Sequence, residues 1–278
     1  MTWNRRTMNA AAFGLTALCA AITVSVLFFL LGYIAWHGFR GVNLDFFTHL
    51  PTPVGEAGGG MANAIVGTGK LLGLASLIGI PIGFFGGVYL SEFGHNRLGF
   101  WVRYAADLLN GVPSIVMGIF AYTIIVLPMK QFSTLAGGAA LGVMMIPIAV
   151  RSTEEFLRLV PASVREASLA LGAHEWKTIL FIVVPAAFRG LLTGILLDLA
   201  RVAGETAPLL FTAFNNRIWS HGWLEPTASL PVMIFTYAIS PYEDWHRQAW
   251  AAALVLMLLV LLVNGGARLL LPRRRAAA

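Results

Sequence analysis

Six apolar runs recur along this 278-residue chain, at about residues 10–36, 64–90, 106–128, 134–151, 179–214 and 248–271. Runs near the roughly 20 residues that cross a hydrocarbon core leave few foldings open. Backbone N–H and C=O groups find no water there, and a helix satisfies them within one segment. A soluble domain carries about a quarter charged residues; here 12% are charged and 58% are hydrophobic. The expectation is an all-α polytopic membrane protein with six transmembrane helices.

The segments between the runs set the orientation. Arg5 and Arg6 precede the first run, and Arg97 and Arg103 lie between the second and third. Arg151, Arg158, Arg165 and Lys177 lie between the fourth and fifth, and Arg268, Arg273, Arg274 and Arg275 follow the sixth. The alternate segments hold only Arg40, Lys130, Arg217 and Arg247. The positive-inside rule then predicts a multi-pass protein of the cytoplasmic (inner) membrane with both termini cytoplasmic. The net charge of +6 is spread over these segments rather than gathered on one patch, which argues against nucleic acid. Arg5-Arg6 and Cys19 imitate export and lipoprotein signals. The run from Ala10 to Trp36 is too long for such a signal, and no small-residue cleavage site closes it, so a retained first helix is expected. Cys19 is the one cysteine, and no disulfide forms within the chain.

On the outer side, residues 37–63 contain Pro51, Pro53 and Gly58-Gly59-Gly60, the composition of an exposed irregular loop. Residues 215–247 hold Trp219, Trp223, Tyr237, Tyr242 and Trp245, rings suited to the membrane–water boundary. Leu230–Ile239 is too short to span and reads as re-entrant or interfacial. Glycines recur at four-residue spacing at Gly79/Gly83/Gly87, Gly138/Gly142 and Gly190/Gly194, which predicts closely packed helices. The expected organisation is a first helix and loop over 1–60, a membrane domain over 61–271 and a basic tail over 272–278.

The segment between the fourth and fifth runs carries the most information. Pro161 can start a helix, Arg165 and Leu169 fall one turn apart, and Gly172 can close it with a left-handed cap. Trp176 and Lys177 resume a helix that enters the membrane near Ile179. A short helix held by two spans across the cytoplasmic face results, a lever for a soluble partner. Glu166-Ala167-Ser168, three residues, Gly172, nine residues, then Ile182-Val183-Val184-Pro185 resembles the signature of permease subunits of ABC-type importers. Ser168 and Val184 depart from that signature. The resemblance implies a type I importer permease (MetI-like) fold. It also implies a coupling helix carrying Glu166, Ala167, Ser168, Gly172 and Pro185, seated in a groove of an ATPase subunit.

A second resemblance narrows the cargo. Residues 199–212, which include Gly204-Glu205-Thr206-Ala207-Pro208, together with Asn110-Gly111-Val112-Pro113-Ser114, are similar to the PstA-type permeases of phosphate importers. The similarity covers roughly residues 61–270. It implies import of inorganic phosphate alongside a PstC-like second permease, a PstB-like ATPase dimer and an extracytoplasmic PstS-like phosphate-binding protein. ATP and magnesium belong to the ATPase, so this chain binds no cofactor and is not an enzyme. Sulfate or molybdate permeases of the same architecture remain an alternative. An ion-coupled secondary transporter would show paired repeats, and none recurs here.

The same residues can be read from their chemistry. Asp198, Arg201 and Glu205 are spaced i, i+3, i+7 and would share one face of the fifth span. Charges at such depth usually face a bundle interior or a water-filled path. Arg201 offers a fork of donors that matches phosphate oxygens, and Glu205 would hold it when no anion is present. A purely structural ion pair fixing helix register is the other reading. Two carboxylates beside one arginine leave the face net negative, unless Asp198 lies near the surface, a carboxyl is protonated or a partner adds cations. Pro208 and Pro113 are the hinge candidates. Lys70 either joins an anion path or snorkels outward, and Arg151 either lines a cytoplasmic exit or anchors at the interface. Gly67-Thr68-Gly69-Lys70 imitates a nucleotide-binding loop, but Leu71 and Ala64 break the pattern. ATP is therefore expected to be hydrolysed by another chain. The six histidines and single cysteine have no metal-ligand spacing.

Overall fold

The computed structural model describes residues 2–53, 56 and 58–270, so the basic tail 272–278 lies outside the described residues. Among these the chain is helical, with no strand. Its helices are α1 (Thr2–Phe39), α2 (Leu44–Thr48), α3 (Ala62–Glu92), α4 (Arg97–Gly111), α5 (Ser114–Ala121) and α6 (Leu127–Met129). They continue with α7 (Thr134–Arg158), α8 (Ala162–Ala170), α9 (Glu175–Thr178), α10 (Val184–Ala203), α11 (Ala207–Thr212), α12 (Leu230–Ala238) and α13 (Glu243–Leu270).

Five helical stretches are long and apolar enough to cross a membrane: Arg5–Phe39, Ala62–Glu92, Thr134–Arg158, Glu175–Ala203 and Glu243–Gly266. A sixth crossing exists only as a broken pair, Arg97–Gly111 and Ser114–Met129, bent by 102°. One straight span over 106–128 is therefore not what forms. Val112 precedes a proline and is extended, with φ −72° and ψ 130°, and Pro113 follows it out of the helical region. The fifth span is also shorter than its apolar run. It stops at Ala203, Gly204 caps it, and α11 begins anew after Thr206. Pro208, with no N–H to donate, occupies the first turn of α11. Its expected role as a kink inside span five is thereby overturned.

Two other prolines follow π-helical turns. Tyr122–Val126 joins α5 to α6 ahead of Pro128, and Ile179–Val183 joins α9 to α10 ahead of Pro185. In each, an N–H reaches back five residues, Leu127 to Tyr122 and Val184 to Ile179. Neither proline can make the usual bond to the carbonyl four residues back, and the wide turn accommodates the loss.

The glycine spacing works as expected. Gly79, Gly83 and Gly87 of α3 face Met145, Ala149 and Thr153 of α7, while Gly138 and Gly142 of α7 face Leu74 and Ile78 of α3. Each added Cβ would collide with those side chains, so the two helix backbones run in near contact. Gly190 and Gly194 of α10 likewise face Phe156 and Ser152 of α7. A core of Leu71, Ala75, Leu141, Met145, Val202 and Leu209 fills the middle of the bundle. By contrast, α1 is exposed along its apolar length and meets α13 through its C-terminal end, where Gly38 sits against Trp250 and Leu254.

The 37–63 and 215–247 segments are more ordered than their composition suggests. The 37–63 segment contains α2, whose N-cap Asn43 accepts from the Phe46 N–H, and Phe46 is buried at 1% exposure beside Met61. Helix α12 is too short to span and is buried along Leu230, Val232 and Met233. Tyr237 and Trp245 stack at 4.2 Å between centroids inside this core, whereas Trp219, Trp223 and Tyr242 stay exposed.

Candidate functional site

Helices α8 and α9 form an elbow between α7 and α10. Helix α8 ends in a Schellman closure: Ala173 N–H donates to Ser168 C=O at 3.3 Å and Gly172 N–H to Leu169 C=O at 2.9 Å. Gly172 takes φ +81° in open space, as the sequence leads one to expect. Ser168, where the importer signature has alanine, is buried and shares a 2.7 Å hydroxyl bond with Thr178, fastening α8 to α9. Glu166 and Ala167 are exposed, as are Leu169, Trp176 and Leu171, the last at 89%. Pro185 follows the π turn that feeds the elbow into α10. An exposed apolar face on a firmly closed helix is suited to a docking partner.

Arg165 fixes the elbow to the bundle. Its guanidinium takes Glu92 of α3 bidentately, at 3.0 and 2.9 Å, and donates to the Leu157 and Val160 carbonyls at the end of α7. A second fork lies alongside. Arg103 of α4 donates to Glu154 of α7 at 2.6 Å and to the Leu90 and Gly94 carbonyls, both at 2.8 Å. Glu154, only 1% exposed, also accepts from Arg151 at 2.9 Å and Arg158 at 2.7 Å, and Arg151 reaches on to Asp107 at 3.0 Å. Arg151 is thus held in a helix-bridging network. Sequence reasoning missed Glu154, Arg103 and Glu92. The available signal was the placement of Arg151 and Arg158 three residues before and four after Glu154, on one helical face.

The expected triad does not form as a set. Asp198 is buried in α10 and accepts from Ser152 Oγ at 3.2 Å. Arg201 is exposed in the last turn of α10, where a cation suits the helix dipole. Glu205 lies beyond the helix end, and among the described residues no ion pair joins it to Arg201. The i+7 relation fails because the helix stops at Ala203. Asp198 and Arg201 stay one turn apart.

The helix that follows Asn110–Ser114 packs against the other similarity segment. Gly118 of α5 lies against Pro208 of α11, its Cβ position 2.6 Å from Pro208 Cα. Pro113 sits at the bend below α5, and the side-chain carbonyl oxygen of Asn110 is buried there without a partner. Lys70 joins neither group. Its ammonium donates to the Ser220 carbonyl at 2.5 Å, in the loop that closes the other end of the bundle. In that loop the backbone N–H groups of Gly222 and His221 hold the Glu225 carboxyl below its ordinary range.

Residues 79–276 match the family described as binding-protein-dependent transport system inner membrane component. Among curated proteins, a phosphate transport system permease protein PstA of Yersinia pestis is 44% identical over 252 residues, 90% of this chain and 85% of the relative. A PstA of Xylella fastidiosa is 45% identical over 253 residues, covering 90% and 88%. A solved structure of inward-facing MetNI methionine ABC transporter aligns with a TM-score of 0.61 at 20% identity, covering 75% of this chain and 95% of the other. That likeness places the fold. The chain belongs to the binding-protein-dependent transport system inner membrane component family.

Proposed function

We infer that this chain is the permease subunit of an ATP-driven importer carrying inorganic phosphate across the cytoplasmic membrane, with both termini on the cytoplasmic side. The observation that carries the reading is the α8–α9 elbow, which presents Leu169, Leu171 and Trp176 outward and is held to the bundle through Arg165 of α8. A cytoplasmic ATPase pair seated on it, PstB-like and using ATP and magnesium, would move it. The relatives named as phosphate transport permeases supply the cargo. A PstC-like second permease would complete the path, and a PstS-like binding protein would deliver the anion from outside. The positive-inside distribution supports the orientation.

Arg201 is the anion-binding residue in this reading. Its fork is exposed and Glu205 does not occupy it, which leaves donors for phosphate oxygens. Asp198, already bonded to Ser152, orients the helix end rather than the anion. Lys70 acts as a loop tether. Pro113, at the bend before α5, is where the path flexes, while Pro208 packs against Gly118. Arg201→Ala should abolish phosphate uptake by the assembled complex in proteoliposomes. Arg201→Lys should recover little of it, because an ammonium lacks the planar fork. Full activity of the lysine variant would reduce the residue to a point charge.

At the elbow, Gly172→Ala forces a side chain into left-handed backbone at a cost of about 1–2 kcal/mol. It should loosen the end of α8 and weaken co-purification of the ATPase. Unchanged recovery of the ATPase would remove the docking assignment.

A further inference from the structure

We propose that the C-terminal end of α3 with the turn after it, Leu90–Gly94, is the node through which movement of α8 reaches α4 and α7, with Arg165–Glu92 and Arg103–Glu154 as its two positioning pairs. The proposal rests on reading α8 as the partner-facing lever.

The two arginines are built alike. Each takes a carboxylate from one helix and backbone carbonyls at the C-terminal end of another. Arg165, on α8, takes Glu92 of α3 and the carbonyls that close α7. Arg103, on α4, takes Glu154 of α7 and the carbonyls that close α3. The final carbonyls of a helix have no partner within it, so an arginine fork meets a real need at that place. The consequence is a weave: α8 holds α3 and α7, while α4 holds α7 and α3. None of the four helices can shift by an ångström at these pairs without lengthening a charge-assisted bond. Ser91 completes the node by donating to Glu92 at 3.0 Å. Beyond the node, α4 runs into the 102° bend before α5, whose Gly118 touches Pro208. A push on α8 is therefore delivered to the base of the bent span as a movement of α4.

The test uses the complete complex in proteoliposomes and reads phosphate imported per ATP hydrolysed. Glu92→Gln keeps the side chain's shape and removes its charge. Phosphate per ATP should fall by about fivefold or more while hydrolysis continues, the size of a typical inter-site coupling. Arg165→Lys, which keeps charge but loses the fork, should fall in the same direction and stands in if the glutamine variant does not accumulate. An unchanged ratio overturns the node, and so does a loss of uptake and hydrolysis in equal proportion, which marks a merely structural pair. Leu171→Asp separates this from failure of the reading beneath it. If the ATPase still co-purifies with that variant, α8 is not the docking lever. If the ATPase is lost there while Glu92→Gln keeps the parent ratio, the node alone fails.

Discussion

Glu154→Ala is expected to destabilise the detergent-solubilised protein by about 3–5 kcal/mol, the usual cost of breaking a buried ion pair from one side. The side chain of Glu154 is 1% exposed and accepts from Arg103, Arg151 and Arg158. With the carboxylate gone, three guanidinium groups converge on an apolar void. Arg158, half exposed, can turn to water, and Arg151 keeps Asp107. Arg103, at 23%, is the most enclosed of the three and is woven into the end of α3, so most of the cost falls on it. Asp107→Asn provides the contrast. That carboxylate is 55% exposed, and its loss should stay within about 1 kcal/mol, as for surface pairs. Thermal unfolding followed by tryptophan fluorescence reads both. A Glu154→Ala variant melting with the parent would mean that water already enters the cluster.

Gly83→Leu should prevent the bundle from assembling. A Cβ at Gly83 would clash with the Ala149 Cβ and stand 3.2 Å from the Ala149 Cα and carbonyl carbon, so no flexible side chain can give way. The helices must part, and the neighbouring contacts of Gly79 and Gly87 with α7 are lost together. Gly83→Ala, the smallest overpacking, should cost about 1–3 kcal/mol. Gly73, on the same helix, has nothing within 4 Å of its Cβ position. Gly73→Ala should accumulate in membranes like the parent, which separates seam packing from a general intolerance of side chains in α3. Membrane levels and detergent melting curves decide between them.

The α3–α7 seam was legible because small residues at fixed spacing are a one-dimensional signal for close backbones. The closure of α8 at Gly172 was legible for the same reason, since a left-handed cap depends on one residue. Hydropathy reports how apolar a segment is and says little about its direction. It therefore joined α10 to α11 and α4 to α5, where Gly204 and the Val112-Pro113 pair break the axis without adding polarity. The triad at Asp198, Arg201 and Glu205 failed with it, because a periodicity argument holds only while the helix continues. Glu154, Arg103 and Glu92 stayed hidden because their partners are 51 and 73 positions away in the chain. Only the fold brings them together.

The π turn at Ile179–Val183 fixes which side of α10 meets its neighbour. A wide turn holds one residue more than an α-helical path would, and each residue rotates the remainder of the helix by about 100°. Gly190, Gly194 and Asp198 face α7 with that extra residue already counted. A shortening by one residue there would swing all three away from α7 and bring bulkier neighbours round against Phe156. The proline behind the turn thus acts as a phase marker for the whole crossing, and its influence extends well beyond the bond it fails to make.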